Sequence, residues 1–118
     1  MTARGSPSSG ERLPGEREPQ RDCLLCPRLV DFRERTRRTN PSWHNAPVPS
    51  FGTGDPRLLI VGLAPGLKGA NRTGRPFTGD YAGDLLYETL LGFGFAKGVY
   101  RADPSDSLEL IDCEAVIK

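Results

Sequence analysis

The sequence predicts an α/β fold. Two observations carry this: an uninterrupted apolar run, Leu58 to Val61, closed by Gly62, and a helical pattern over 80–93 that leads to a second apolar stretch beginning at Leu108. An apolar run of that kind is how a strand covered on both faces reads. Strand, helix and strand in this order make one right-handed βαβ unit with a parallel sheet. One such unit is too little for an open doubly wound sheet, which has about five or six strands. The 118 residues allow one domain at most, and 36% apolar residues with 14 Gly and 11 Pro leave much of the chain outside any core.

From the amino end, residues 1–21 are rich in Ser, Gly, Pro, Glu and Arg and nearly devoid of apolar side chains. They bury too little surface to offset their ordering entropy and read as a disordered tail. Residues 22–118 are the structured part. Pro27 suits the first turn of a helix, and Leu29, Val30 and Phe32 give it a short apolar face, so a helix is expected from about Pro27 to Arg38. Its flanks are basic: Arg28, Arg33, Arg35, Arg37 and Arg38 against Asp31 and Glu34. Residues 40–56, with Pro41, Pro47, Pro49 and Pro56, read as an extended loop onto which Trp43 and Phe51 pack down. After the strand at 57–62, Asp80 can cap the second helix. Leu85, Leu86, Tyr87, Leu90 and Leu91 supply its buried face, and Gly92 and Gly94 mark its stop. The carboxyl-terminal stretch 114–118 reads as strand interior, so the chain is expected to be the front part of a larger domain. There is no internal repeat.

The net charge of +1 points to no partner by itself. No apolar run has the length of a signal segment or membrane span, so a cytoplasmic protein with no membrane association is expected. In that compartment cysteines at close spacing more often bind metal than form disulfides. Cys23 and Cys26, spaced Cys-x-x-Cys, fit half of a zinc site, a redox pair or a coincidence.

The richest segment is the nineteen-residue loop 62–80, GLAPGLKGANRTGRPFTGD, which leaves the carboxyl end of the strand, where open α/β sheets bind ligands. Gly62, Gly66, Gly69, Gly74 and Gly79 let backbone approach a ligand closely, and Pro65 and Pro76 stiffen the path. Asn71, Thr73 and Thr78 add hydrogen-bonding groups; Lys68, Arg72 and Arg75 add positive charge. Phe77 is a lone aromatic able to stack on a flat ring, or else a core residue. The spacing matches neither the dinucleotide fingerprint nor a Walker A loop.

GLAPG followed by GANRTGRPFTGD resembles the first active-site motif of the uracil-DNA glycosylase superfamily, and its family 5 (type b) branch in particular. Pro47-Val48-Pro49, Phe51-Gly52 and the Cys23–Cys26 motif before an arginine-rich helix strengthen the resemblance, which covers about residues 22–113. It implies an incomplete three-layer α/β/α fold and excision of uracil from DNA by a monomer, with other deaminated bases open. It implies that Phe77 stacks on the flipped base, that backbone amides around Gly62, Leu63 and Ala64 bond the base or place the water, and that Pro65 and Asn71 belong to the substrate site. With Ala64 where related families carry an acid or amide, the chemistry leans on Asp80, on backbone groups and on later residues. For Asp80 a plain helix cap stays an equal reading, as does a bond to loop backbone for Asn71. Arg72 and Arg75 contact DNA phosphate or brace the loop through carboxylates. Lys68 stands where many members have His.

The resemblance also implies a [4Fe-4S] cluster, with Cys23 and Cys26 as two of its four ligands. Cys113 reads instead as a small buried strand residue. The later Asn and His of the family pattern are not found in 114–118, and His44 reads as structural or exposed. The chain alone is therefore expected to excise no uracil. Two alternatives remain open here: a metal-binding nucleic-acid module without catalysis, told apart by zinc rather than iron–sulfur absorption, and a truncated product that does not fold.

Overall fold

The structure is a computed structural model that describes residues 18–118. In chain order the elements are α1 (Pro27–Thr39), β1 (Phe51–Gly52), β2 (Leu58–Gly62), α2 (Ala70–Thr73), α3 (Tyr81–Gly92), β3 (Ala96–Lys97), β4 (Glu109–Leu110) and β5 (Cys113–Ile117). Together they give a mixed sheet with helices, an α/β fold. None of the described helices is long and apolar enough to cross a membrane.

Helix α1 starts on Pro27, whose missing N–H costs nothing at that position. Its last turn carries Arg37 and Arg38, which suit the negative end of the helix dipole. The face turned inward is only in part the apolar one expected: Val30 and Phe32 are half-buried. Leu29 is 49% exposed, whereas Arg33 and Thr36 are buried. Arg33 is held because Nη1 donates to the Cys23 carbonyl at 2.8 Å, and Thr36 because Oγ1 donates to the Arg33 carbonyl at 3.0 Å.

The three-stranded sheet runs β1-β5-β2. β2 lies parallel to β5, from Leu58 opposite Cys113 to Gly62 opposite Ile117. The connection between them carries α2, α3 and the two-stranded ribbon β3–β4. β1 pairs antiparallel with the other edge of β5, Phe51 opposite Ala115. The proline-rich segment thus contains a two-residue strand and is not loop throughout. At Gly52, with φ of 126°, a Cβ would come within 2.2 Å of the Cys113 carbonyl oxygen.

The strand expected to begin at Leu108 is two strands. Glu109–Leu110 turns back onto Ala96–Lys97, and only Cys113–Ile117 joins β2. Asp112, with φ of 53°, makes the break between them. Its carboxylate accepts the Arg57 backbone N–H at 3.0 Å and also pairs with the Arg57 guanidinium. The start of β2 thereby fixes the start of β5.

One face of this sheet carries the core. Tyr87 and Leu90 of α3 pack with Ala96, Leu108, Leu110, Cys113 and Ala115, and Leu58 and Ile60 join from β2. Phe51 meets Tyr87 edge-on at 6.1 Å, as expected of a packed-down residue, while Trp43 is partly buried outside both core clusters. The run Leu58–Val61 is not covered on both faces: Leu59 is 55% and Val61 69% exposed. Leu85, expected in the buried face of α3, is 65% exposed; the smaller Gly83 takes an inward position instead. Past Gly92 the Phe95 N–H bonds the Leu90 carbonyl at 2.9 Å and Gly94 adopts φ of 83°, which closes the helix end.

The expected tail lies outside the described residues as far as 17. Of the remainder, the Glu18 carboxylate accepts the Ser50 backbone N–H at 3.1 Å and pairs with Lys118, and Arg21 donates to the His44 carbonyl at 3.2 Å.

Candidate functional site

The loop begins where β2 stops. At Gly62 a Cβ would lie 2.7 Å from both the Phe77 ring and the Ile117 side chain, so the bare backbone is what admits the ring. Leu63 follows, 99% exposed at the strand's carboxyl end, and Ala64 is exposed beside it. Pro65 is half-buried. The single turn α2 ends in Gly74 with φ of 82°, and the His44 ring lies against Gly74 where a side chain would otherwise stand. His44 Nε2 is 2.9 Å from the Pro47 carbonyl oxygen, so this ring is a structural prop.

Phe77 is partly buried and touches both core clusters. Its φ is 54°, the left-handed region, where a bulky side chain is strained by about 1–3 kcal/mol. Its neighbours hold it there. Tyr87 donates to the Pro76 carbonyl at 2.5 Å, and Thr78, fully buried, donates to the same oxygen at 3.0 Å.

Asp80 occupies the N-cap position of α3, yet its side chain makes no capping bond. The carboxylate turns back over the loop. A Cβ would meet Asp80 Oδ2 at 2.8 Å from Gly66 and at 2.2 Å from Gly69. Two glycines thus form a cradle that only the absence of side chains leaves open, and the acid stays exposed at its mouth.

Asn71 is buried and turned inward. Its Nδ2 donates to Asn45 Oδ1 at 3.1 Å and to the Leu67 carbonyl at 3.3 Å. Arg72 spans the loop, donating to the Lys68 carbonyl at 2.6 Å and the Gly79 carbonyl at 2.9 Å. Arg75 has a side chain only 6% exposed and makes a two-pronged pair with Asp106 at 2.8 and 2.9 Å. The Asp106 side chain is enclosed, and the Arg75 guanidinium bonded to it holds its carboxyl far below the usual carboxylate range. In this arrangement Arg75 and Arg72 brace the loop, Arg75 through a carboxylate and Arg72 through backbone carbonyls.

Sequence reasoning missed three residues of this frame: Asn45, Asp106 and Tyr87 as a hydrogen-bond donor. Asn45 is 1% exposed; it takes φ of 47° and also donates to the Asn40 carbonyl at 2.8 Å, which ties the end of α1 to α2. An Asn in a left-handed turn leaves a weak local signal. Asp106 lies 31 residues from Arg75, and no local pattern links them.

The uracil DNA glycosylase superfamily model matches residues 49–109, more than half of the chain and all of the loop just described. The chain belongs to the uracil-DNA glycosylase superfamily. It is 49% identical over 94 residues to a type-5 uracil-DNA glycosylase of Mycobacterium leprae, covering 74% of this chain and 41% of that protein. It is 48% identical over 94 residues to the type-5 enzyme of Thermus thermophilus, covering 75% and 42%. To that of Pyrobaculum aerophilum it is 39% identical over 93 residues, covering 75% and 41%. The chain spans about two fifths of the length of these curated relatives.

For this member of the superfamily the thiols divide cleanly. Cys26 is exposed and Cys23 partly so, in the turn that enters α1, while Cys113 is buried in the core with its thiol pKa pushed up by that burial. Among the described residues no three His, Cys, Asp or Glu side chains converge on one point. Cys23 and Cys26 stand outside the core cluster that holds Cys113, so among the described residues the three thiols do not form one donor set.

Proposed function

We propose that this chain forms the uracil-reading wall of a DNA-repair glycosylase, a cytoplasmic monomer acting on DNA that contains uracil or other deaminated bases. The observation that carries the reading is Asp80, an N-cap residue whose carboxylate declines the cap and lies over the Gly66–Gly69 cradle. A helix with an unused cap forgoes about 1 kcal/mol, which is most readily understood if the acid serves a ligand.

Hydrolysis of an N-glycosidic bond leaves the sugar cation-like and the departing base anionic. A fixed carboxylate favours the first, by electrostatics or by orienting water, and backbone N–H groups near Gly62, Leu63 and Ala64 favour the second. Phe77 stacks on a base that has left the duplex. Arginines left exposed on α1, such as Arg28 and Arg38, are available to phosphates. Leu59 and Val61, open on the far face of β2, are what the second helical layer of a three-layer α/β/α fold would cover. Cys23 and Cys26 would hold their half of a [4Fe-4S] cluster, which would supply a rigid cross-link for the segment entering α1.

The test uses this chain with a duplex carrying one uracil and the same duplex with thymine, read by binding and by alkali-revealed strand cleavage. Preferential binding of the uracil duplex is expected, lost in Phe77→Ala. Any uracil release should fall by about 10²–10⁴ in Asp80→Asn. Equal binding of the two duplexes with no release would overturn the proposal.

A further inference from the structure

Arg75 is the most enclosed charge in the loop. Its guanidinium lies 4.9 Å from the Phe51 ring centroid, 5.8 Å from that of Tyr87 and 5.9 Å from that of Tyr100. Asp106 takes both of its forked ends, at 2.8 and 2.9 Å. Asp106 in turn is fixed by the Arg101 N–H at 2.8 Å and the Leu108 N–H at 3.1 Å. The third guanidinium nitrogen, Nε, donates to Thr78 Oγ1 at 2.9 Å. Thr78 donates to the Pro76 carbonyl, the same oxygen that Tyr87 holds. Residues 76 and 78 are thus gripped on both sides of Phe77, and Phe77 is the residue left in a left-handed conformation. Gly83 presses from below, since a Cβ there would lie 1.7 Å from the Phe77 carbonyl oxygen.

We propose that Arg75 is a positioning residue for the stacking ring: through Thr78 and Asp106 it holds Phe77 in its left-handed conformation, with the ring seated over Gly62. This rests on the base-reading role proposed for Phe77. The reason for an arginine at this place is geometric. Only a planar fork can fill both Asp106 oxygens and still send Nε to Thr78. A lysine keeps the charge and loses the third contact. Without the grip, a Phe at φ of 54° relaxes toward ordinary backbone, and its ring leaves Gly62.

The experiment compares the chain with Arg75→Lys, Phe77→Ala and, as a destabilised control outside the Arg75–Asp106–Thr78 contacts, Leu90→Val. Two readouts are taken from the folded fraction. The first is nuclear magnetic resonance of Phe77: its HN–Hα coupling and the Overhauser contacts from its ring to Gly62 and Ile117. The second is the ratio of affinities for uracil and thymine duplexes. Arg75→Lys is expected to change the coupling and lose the ring contacts. It should lower the affinity ratio as Phe77→Ala does, by about 5- to 150-fold, the range that loss of one base stack gives. Leu90→Val should keep both signals. An unaltered Phe77 conformation in Arg75→Lys overturns the proposal whatever the binding shows. Equal loss in Leu90→Val also overturns it, since the effect would then be general loosening. Should Arg75→Lys displace the ring while Phe77→Ala leaves the ratio intact, the base-reading role of Phe77 fails, while the hold of Arg75 on the Phe77 conformation stands.

Discussion

The pair Arg75–Asp106 shows how a single contact sets both stability and its pH dependence. Removing one partner strands a buried charge, and Arg75→Ala is expected to cost about 3–5 kcal/mol, read as a fall in urea midpoint. That is a large share of the roughly 5–15 kcal/mol a domain possesses. Asp106 has a folded pKa well below its unfolded value near 4. Its contribution is therefore complete above pH of about 4 and is lost as pH falls toward the folded pKa. Asp106→Asn should be less stable at neutral pH and show a flatter acid limb in a plot of midpoint against pH. The thiols give a second test at this scale. With a disulfide reagent, Cys23 and Cys26 should react promptly and Cys113 only on unfolding, because its sulfur is buried and held protonated. Three thiols reacting at one rate would contradict the placement. The chemical character of the loop could be read from its residue types, since Gly, Phe and Asp at those positions have local consequences. Which oxygen each side chain meets could not, because Asp106, Asn45 and Tyr87 arrive from 31, 26 and 11 residues away.

Among the elements, α3 is the instructive one. Its helical pattern, its stop at Gly92 and most of its inward face (Leu86, Tyr87, Leu90 and Leu91) are written in the sequence, but Leu85 is exposed and Gly83 lies inward in its stead. Gly83 lies inward because the first turn of the helix sits directly on the Phe77 carbonyl. Intrinsic propensity predicts that Gly83→Ala gains about 1 kcal/mol. The 1.7 Å approach to a backbone oxygen predicts a net loss of about 1–3 kcal/mol, and the clash wins because backbone cannot swing aside. Gly92→Ala is the matched control. Nothing lies within 4 Å of a Cβ there, so it should stabilise by about 0.5–1 kcal/mol. Thermal unfolding of the two variants should shift in opposite directions. The strand at Leu108 misled for a related reason: an apolar run was visible, but the left-handed Asp112 that divides it is set by its bonds to Arg57.

On the scale of the whole molecule, the α/β class and the place of the loop at the strand's carboxyl end followed from the order of apolar runs. The cover on each sheet face did not, because an unbroken apolar strand reads the same whether one face or two are packed. Leu59 and Val61 leave β2 with an open apolar side. Such a surface favours self-association. The doubly substituted Leu59→Lys, Val61→Thr is expected to stay monodisperse at concentrations where the parent associates, as seen in sedimentation. Its urea midpoint should change by no more than about 0.5 kcal/mol equivalent, since neither side chain is in the core.

The strand order β1-β5-β2 has a temporal meaning as well. The two earlier strands bond to the latest one and not to each other, Phe51 reaching Ala115 and Leu58 reaching Cys113. During synthesis they emerge first and wait, each with bare hydrogen-bonding groups, until residues 113–117 leave the ribosome. The nascent chain therefore passes through an interval in which its sheet has two borders and no middle. That interval is when a chaperone, or another copy of the same chain, has its best opportunity to take the vacant place.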